Sequence, residues 1–116
     1  MAAKKNKLSK VIITSTSEVY GTALKVPIDE DHSLNAQSPY AATKIASDQM
    51  TNAYFSSYDL PATIIRPFNT FGPRQSERAI IPTIIKQCLL KKKINLGNQF
   101  PTRDLTYVDD TCLGFY

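Results

Sequence analysis

Two short runs of apolar, largely β-branched residues constrain the fold most. Val11–Thr14 and Ala62–Arg66 are continuous rather than alternating, which is typical of strands buried on both faces of a parallel sheet. Between them, Ser38 and Pro39 form a helix start, with serine as the cap and proline in the first turn. The helix is predicted to run to about Ser57, because apolar residues recur at helical spacing. This apolar face comprises Ala42, Ile45, Ala46, Met50, Ala53 and Tyr54.

Strand, crossover helix and strand indicate an α/β fold with parallel strands. The other predicted elements are a helix end at Met1–Lys7, loops at 16–21, 22–37 and Pro67–Arg78, a helix at Ile80–Lys91, short strands at Ile94–Leu96 and Leu105–Val108, and a helix from Asp109 to Tyr116. Two core strands alone would leave long sheet edges unpaired. We therefore expect a fragment: the C-terminal part of a Rossmann-type doubly wound sheet plus the start of a substrate-binding subdomain.

Composition and charge argue against nucleic-acid binding, a membrane span and secretion. The net charge of +4 comes largely from Lys4, Lys5, Lys7 and Lys10 and from Lys91–Lys93. No aromatic residues alternate with these lysines, which favours solvated helix ends over a nucleic-acid surface. The chain has no apolar run near twenty residues and no secretory leader pattern, so we expect no membrane span and a cytoplasmic location.

The cysteines and the single histidine do not form a metal-binding pattern. Cys88 and Cys112 lie far apart in apolar helical segments, and His32 is the only histidine. A metal site would require clustered ligands. We therefore expect no metal and two buried free thiols in a reducing compartment.

The residues that can carry chemistry lie after the first strand and at the start of the long helix. Tyr40 and Lys44 are one helical turn apart and share a face, and a nearby cation favours the phenolate that a base would need. A Tyr-x-x-x-Lys spacing alone is common on ordinary helices. However, the hydroxyl-rich loop with Thr16, Ser17 and Glu18 follows the first strand, where open α/β sheets bind ligands.

Four segments in this order and spacing resemble the extended short-chain dehydrogenase/reductase family, which contains the NAD-dependent nucleotide-sugar epimerases and dehydratases. They are S-T-S-E-V-Y-G, S-P-Y-A-A-T-K, R-P-F-N-T-F-G-P and P-T-R-D-L-T-Y-V-D-D-T, and together they cover nearly the whole chain. The resemblance implies NAD as cofactor, a UDP-sugar as substrate, and a homodimer formed through a helix bundle that includes the tyrosine helix.

The same resemblance implies a role for each matching residue. Tyr40 and Lys44 would be the catalytic pair, with Lys44 also holding the nicotinamide ribose, and Thr16 would bond the reacting sugar hydroxyl. The other matches are Pro67 on the nicotinamide side, Asn69 as a substrate contact, Arg103 on the diphosphate and Arg74 as a weaker phosphate or uridine contact.

Glu18 favours a 4,6-dehydratase among these enzymes. An epimerase only removes and returns a hydride, whereas a dehydratase must also take a proton from sugar C5, which a carboxylate can do. Ser17 departs from the Asp-Glu pair of many dehydratases, and Ser-Glu also resembles UDP-glucuronate decarboxylases. The segments around Pro27 and from Arg66 to Ile85 are most similar to UDP-N-acetylglucosamine 4,6-dehydratases of the legionaminic-acid type. A 4-epimerase and a non-catalytic nucleotide-sugar-binding domain remain alternatives.

The family's cofactor fingerprint, a glycine-rich turn after the first strand, has no match here. The four glycines are Gly21, Gly72, Gly97 and Gly114, whereas the fingerprint needs closely spaced glycines at a helix start. We therefore expect residues 1–116 to be a partial epimerase/dehydratase domain that lacks its N-terminal cofactor-binding half. Such a chain is expected to be inactive alone.

Overall fold

The structure, a computed structural model, describes residues 2–90 and 93–116. The chain forms two compact units, Met1–Phe68 with Gly114–Tyr116, and Asn69–Leu113. The first contains a short helix, α1 (Ala2–Lys5), strand β1 (Val11–Thr14), a 3₁₀ turn (Ser17–Tyr20), helix α2 (Pro39–Tyr58) and strand β2 (Ala62–Ile65). The second contains β3 (Asn69–Phe71), α3 (Ile80–Leu90), β4 (Leu105–Tyr107) and α4 (Val108–Leu113).

The predicted β-α-β unit is confirmed. Strands β1 and β2 pair in parallel with Val11 opposite Ala62 and Thr14 opposite Ile65, and α2 is the crossover between them. The side chain of Ser38 accepts a hydrogen bond from the Ala41 N–H at 3.0 Å, with Pro39 in the first turn. Asp59, in the left-handed region at φ 50°, ends the helix.

Four of the six apolar residues predicted at helical spacing on α2 are exposed. The buried residues of the helix are Ala41, Asp48 and Thr51, whereas Met50 is 60% exposed. At 100° per residue, Ala42, Ala46, Met50 and Ala53 lie on the opposite side of the helix from that buried face. The face with small and polar side chains packs at the strand ends, because Lys44 bonds the carbonyl of Thr14 there and Asp48 bonds Arg66.

Three elements of the second unit differ from the predictions. Strand β3 lies within the predicted Pro67–Arg78 loop and pairs in parallel with β4, Asn69 opposite Leu105. Three residues carry too little periodicity to reveal a strand whose partner is distant in the chain. The segment Ile94–Leu96 is not a strand, because the side chain of Gln87 bonds both the N–H and the C=O of Asn95, at 2.7 and 2.9 Å. Helix α4 begins at Val108 and ends at Leu113 rather than spanning 109–116.

The predicted 16–21 loop contains the 3₁₀ turn, while 22–37 is irregular as expected. Cys88 and Cys112 are free, but both are exposed. Their predicted burial is wrong because α3 and α4 bury none of their residues. Among the described lysines of the basic clusters, Lys5, Lys7, Lys10 and Lys93 are exposed. The side chains of Lys4, Lys91 and Lys92 lie outside the described residues.

Candidate active site

Backbone bonds extend the β1–β2 pairing past the carboxyl ends of both strands. The Ser15 N–H donates to the carbonyl of Ile65 at 2.7 Å, and the Ser17 N–H donates to the carbonyl of Pro67 at 3.0 Å. The loop after β1 and the segment after β2 are therefore held side by side. This fixes Thr16, Ser17 and Pro67 at the sheet edge where open α/β folds bind ligands.

The loop after β1 turns immediately into the 3₁₀ turn Ser17–Tyr20. Thr16 is its cap: the residue is extended, and its hydroxyl accepts a bond from the Glu18 N–H at 3.3 Å. Glu18 is exposed, whereas Val19 is fully buried. The turn thus presents a carboxylate to solvent while the next side chain anchors it in the core.

Gly21 closes the turn in a conformation that suits glycine. Its φ is 65° and its ψ −142°, a region that side chains rarely adopt. A Cβ built there would lie 2.4 Å from the carbonyl oxygen of Asn35. The N–H of Asn35 in turn donates to the carbonyl of Val19 at 2.8 Å, so the 22–37 loop packs directly on the turn.

Tyr40 and Lys44 occupy adjacent turns of α2. The Lys44 Nζ donates to the carbonyl of Thr14, the last residue of β1, at 2.9 Å and lies 5.8 Å from the centre of the Tyr40 ring. Tyr40 is 50% exposed. The lysine thus ties α2 to the end of β1, two residues before Thr16, and places a cation beside an accessible phenol.

The predicted substrate contacts Asn69, Arg74 and Arg103 all belong to the second unit. Asn69 is the exposed first residue of β3. Arg74 is exposed, has φ 66° and lines a largely apolar cavity of about 660 Å³ with residues of β3, β4 and α3. Arg103 is exposed, and its Nη1 donates to the carbonyl of Thr102 at 2.8 Å.

A buried polar cluster beside the turn was not predicted. The Arg66 Nε donates to the Asp48 Oδ2 at 2.9 Å, and Arg66 Nη1 donates to the Tyr20 hydroxyl at 3.0 Å. Asp48 is fully buried and Tyr20 is 4% exposed. The edge of the Tyr20 ring meets the ring of His32, with centroids 5.5 Å apart. The spacing of Asp48, one turn after Lys44, was the available signal, since it places both on one helix face.

The hydrogen bonds of the cluster outweigh the cost of burying its cation. Burial alone would lower the pKa of Arg66, but the hydrogen bonds to Tyr20 and Asp48 raise it above its ordinary value. His32 is held in one tautomer: its Nε2 accepts from the Leu24 N–H at 3.0 Å, and its Nδ1 faces the carbonyl of Ser33 at 2.9 Å, so Nδ1 carries the proton.

Two other features are absent from the part of the chain that the structure describes. Within residues 2–90 and 93–116, no group of three metal-ligating side chains could hold an ion. None of the described helices is long and apolar enough to cross a membrane.

Parallel strands joined by a crossover helix, with side chains gathered at the strand ends, are typical of Rossmann-type α/β folds. The family model for GDP-mannose 4,6-dehydratase matches residues 1–116. The chain belongs to this family of the extended short-chain dehydrogenases/reductases.

Curated and solved relatives agree with this membership. The chain is 35% identical to a dTDP-D-glucose 4,6-dehydratase of Dictyostelium discoideum, over 97% of this chain and 29% of the relative. It is 38% identical to a UDP-glucose 4-epimerase of Mycolicibacterium smegmatis, over 98% of this chain and 38% of the relative. The solved dTDP-glucose 4,6-dehydratase of Bacillus anthracis, in complex with NAD, superposes with a TM-score of 0.88 at 32% identity, covering 98% of this chain and 37% of that one.

An epimerase structure matches equally well. The UDP-N-acetylglucosamine 4-epimerase of Methanobrevibacter ruminantium M1, in complex with UDP-N-acetylmuramic acid, gives a TM-score of 0.87 at 35% identity, over 97% of this chain and 38% of that one. The relatives are therefore nucleotide-sugar 4,6-dehydratases and 4-epimerases. The chain spans between 29% and 38% of the length of these four proteins.

Proposed function

We propose that the natural protein containing this chain is an NAD-dependent nucleotide-sugar 4,6-dehydratase, a lyase that acts on UDP-N-acetylglucosamine. The observation that carries the proposal is Glu18, an exposed carboxylate on a turn capped by Thr16. That turn begins three residues after Thr14, whose carbonyl holds Lys44. A proton-abstracting group therefore lies on the element next to the Tyr40–Lys44 pair.

The residues fit a bound nicotinamide cofactor, which would take a hydride from sugar C4 and return it later. The carbonyl of Thr14 engages one of the three N–H donors of Lys44, and the remaining donors suit ribose hydroxyls. Tyr40 is half exposed and would accept the proton of the C4 hydroxyl, while Thr16 bonds that hydroxyl. Pro67 would line the nicotinamide side.

Glu18 supplies the step that separates a dehydratase from an epimerase. Once C4 is a ketone, Glu18 would remove the C5 proton and pass it to the C6 hydroxyl, which leaves as water while a C5=C6 double bond forms. Return of the C4 hydride to C6, with a proton at C5 that balances the one Tyr40 took from the C4 hydroxyl, would then give a 4-keto-6-deoxy sugar. The Ser17 N–H is committed to Pro67, and its hydroxyl stands where many dehydratases carry an aspartic acid. We assign Asn69 to the sugar nucleotide, Arg103 to the diphosphate and Arg74 to phosphate or uridine.

A 4-epimerase is the second candidate, because epimerases match this chain as well as dehydratases do. The test is to incubate the natural protein and NAD with UDP-N-acetylglucosamine, and separately with UDP-glucuronate. A 4-keto-6-deoxy product supports the proposal, and its loss in Glu18→Gln with unchanged nucleotide binding assigns the base. A C4 epimer would support the epimerase, and carbon dioxide from UDP-glucuronate would support a decarboxylase. Binding without turnover would indicate a binding domain.

We further propose that residues 1–116 are part of an epimerase/dehydratase domain and bind NAD poorly as a separate polypeptide. The support is the absence of a glycine-rich fingerprint from the sequence, since that turn provides backbone N–H groups for the pyrophosphate. Calorimetric titration of NAD into the 116-residue polypeptide and into the natural protein tests this. Equal affinity would contradict the proposal.

The exposed apolar stripe of α2 supports a homodimer. Ala42, Ala46, Met50 and Ala53 form this stripe opposite the buried face. Because water-exposed apolar area favours association, Met50→Glu should lower the molecular mass measured by light scattering from dimer to monomer. The control Asn52→Glu changes an exposed position off the stripe, and dimer formation by both variants would contradict this interface.

A further inference from the structure

The buried cluster of Tyr20, Asp48 and Arg66 connects the catalytic helix to the turn that carries Glu18. We propose that these three are positioning residues: Arg66, held by Asp48, fixes Tyr20 and thereby holds the Glu18 carboxylate in place for proton abstraction. The inference rests on the proposed dehydratase function.

Two hydrogen bonds tie α2 to the ends of β1 and β2. Asp48 lies one helical turn after Lys44 and two after Tyr40, so the three share a helix face. Lys44 bonds the carbonyl at the end of β1 at 2.9 Å, and Asp48 bonds Arg66, the residue after β2, also at 2.9 Å. The helix is thus tied to the ends of both strands, which fixes the tyrosine–lysine pair relative to the sheet.

The hydrogen bonds within the 3₁₀ turn that carries Glu18 are long. The N–H groups of Glu18, Val19 and Gly21 lie 3.3, 3.4 and 3.2 Å from their acceptors within the turn and its cap. Bonds of this length are weaker than those near 2.9 Å. The front of the turn is held by the 3.0 Å bond from Ser17 to Pro67. The far end is held by the 2.8 Å bond from Asn35 to the carbonyl of Val19 and by Tyr20, whose hydroxyl accepts from Arg66 at 3.0 Å.

The Arg66 guanidinium links Asp48 on α2 to Tyr20 in the turn. Arg66 presents a rigid planar fork that reaches two acceptors at once, Asp48 through Nε and Tyr20 through Nη1. Removing the Tyr20 hydroxyl leaves a part-buried donor of Arg66 without this acceptor, which shifts the guanidinium or draws water in. Either change loosens the far end of the turn. Glu18, two residues before Tyr20, would move with it, whereas Tyr40 and Lys44 keep their own anchor on Thr14.

The inference therefore predicts a selective defect. In Tyr20→Phe, oxidation at C4 should continue while C5 proton removal slows, so enzyme-bound cofactor should accumulate in its reduced form during turnover. A displacement of about 1 Å is enough to slow a step by about 10- to 100-fold. We expect kcat to fall by about that factor with KM changed less than about twofold, since substrate binding is not altered.

The experiment compares wild type, Glu18→Gln, Tyr20→Phe and Arg66→Lys in the natural protein with NAD and UDP-N-acetylglucosamine. Product formation and the absorbance of reduced cofactor are followed together. Hydrogen–deuterium exchange of residues 16–21 and 39–58 gives a readout independent of activity. The matched control is Tyr54→Phe, which removes the hydroxyl of a tyrosine on α2 whose ring pairs with that of Tyr58 at 5.5 Å.

Support requires that Tyr20→Phe and Arg66→Lys resemble Glu18→Gln in accumulating reduced cofactor. In Tyr20→Phe, residues 16–21 should exchange faster while 39–58 do not, and Tyr54→Phe should behave as wild type. Arg66→Lys keeps the charge but loses the fork, so it tests the inference even if Tyr20→Phe is unstable. If neither cluster variant accumulates more reduced cofactor than wild type, the inference is overturned while the proposed dehydratase function stands. If wild type yields only an epimer, the proposed function falls first and the inference with it.

Discussion

Replacing Gly21 by alanine tests how the turn carrying Glu18 is closed. The backbone there has φ 65° and ψ −142°, a combination that costs a side-chain-bearing residue about 1–3 kcal/mol. The new Cβ would also lie 2.4 Å from the carbonyl oxygen of Asn35, which belongs to backbone and cannot rotate away. Because Asn35 also bonds Val19, relieving the contact would disturb the buried anchor of the turn. We expect a loss of about 2–4 kcal/mol, the strain plus part of a hydrogen bond.

The chain contains a matched control. Gly97 is not in the positive-φ region, and a Cβ built there meets nothing within 4 Å. Gly97→Ala should therefore leave stability unchanged or raise it by about 0.4–1 kcal/mol through the unfolded state. Thermal unfolding of the natural protein followed by circular dichroism, with dehydration measured at low temperature, compares the two. Equal melting temperatures for Gly21→Ala and wild type, or equal losses in both variants, would refute the reasoning.

Three further changes test other parts of the site. Lys44→Gln removes the cation that bonds Thr14, and we expect turnover to fall by about 100-fold or more, measured as product formed at saturating NAD; normal turnover would remove Lys44 from the pair. Asp48→Asn leaves Arg66 without a carboxylate partner and should lower the unfolding free energy by about 1–3 kcal/mol in a urea titration, whereas no change would mean that the ion pair is not stabilising. Ser38→Ala deletes the cap of α2 and should cost about 1 kcal/mol by thermal melting, and the exposed Ser56→Ala, its control, should cost less.

The sequence predicted the β-α-β unit because each of its signals is local. Continuous apolar runs marked β1 and β2, and the Ser38–Pro39 start depends on chemistry within four residues. Strand β3 was missed because it exists only through pairing with β4, more than thirty residues later. The strand predicted at 94–96 does not form, because the side chain of Gln87 bonds the backbone N–H and C=O of Asn95 that a neighbouring strand would otherwise bond.

The candidate site residues were proposed from motifs, whereas the buried residues that lie beside them were not predicted. Asp48 interrupts the helical apolar pattern and reads as a surface acid, because burial of a charge depends on its partner. That partner, Arg66, lies eighteen residues away at the end of a strand. The exposure of the apolar residues of α2 has a related cause, because the polar bonds of Lys44 and Asp48, rather than apolar contacts, decide which face of the helix meets the sheet.

The Tyr40–Lys44 pair and the turn that carries Glu18 are held by different hydrogen bonds, and each would serve a different step of the reaction. The Tyr40–Lys44 pair depends on the carbonyl of Thr14, at the end of β1. The Glu18 turn depends on Pro67 and on the Arg66 fork, both immediately after β2. The two groups can be disturbed separately only by changes that spare the Asp48–Arg66 bond, because that bond also ties α2 to the end of β2. Loss of the Tyr20 hydroxyl should therefore slow C5 proton removal while C4 oxidation continues, whereas substitutions at Lys44 should change whether any reaction occurs.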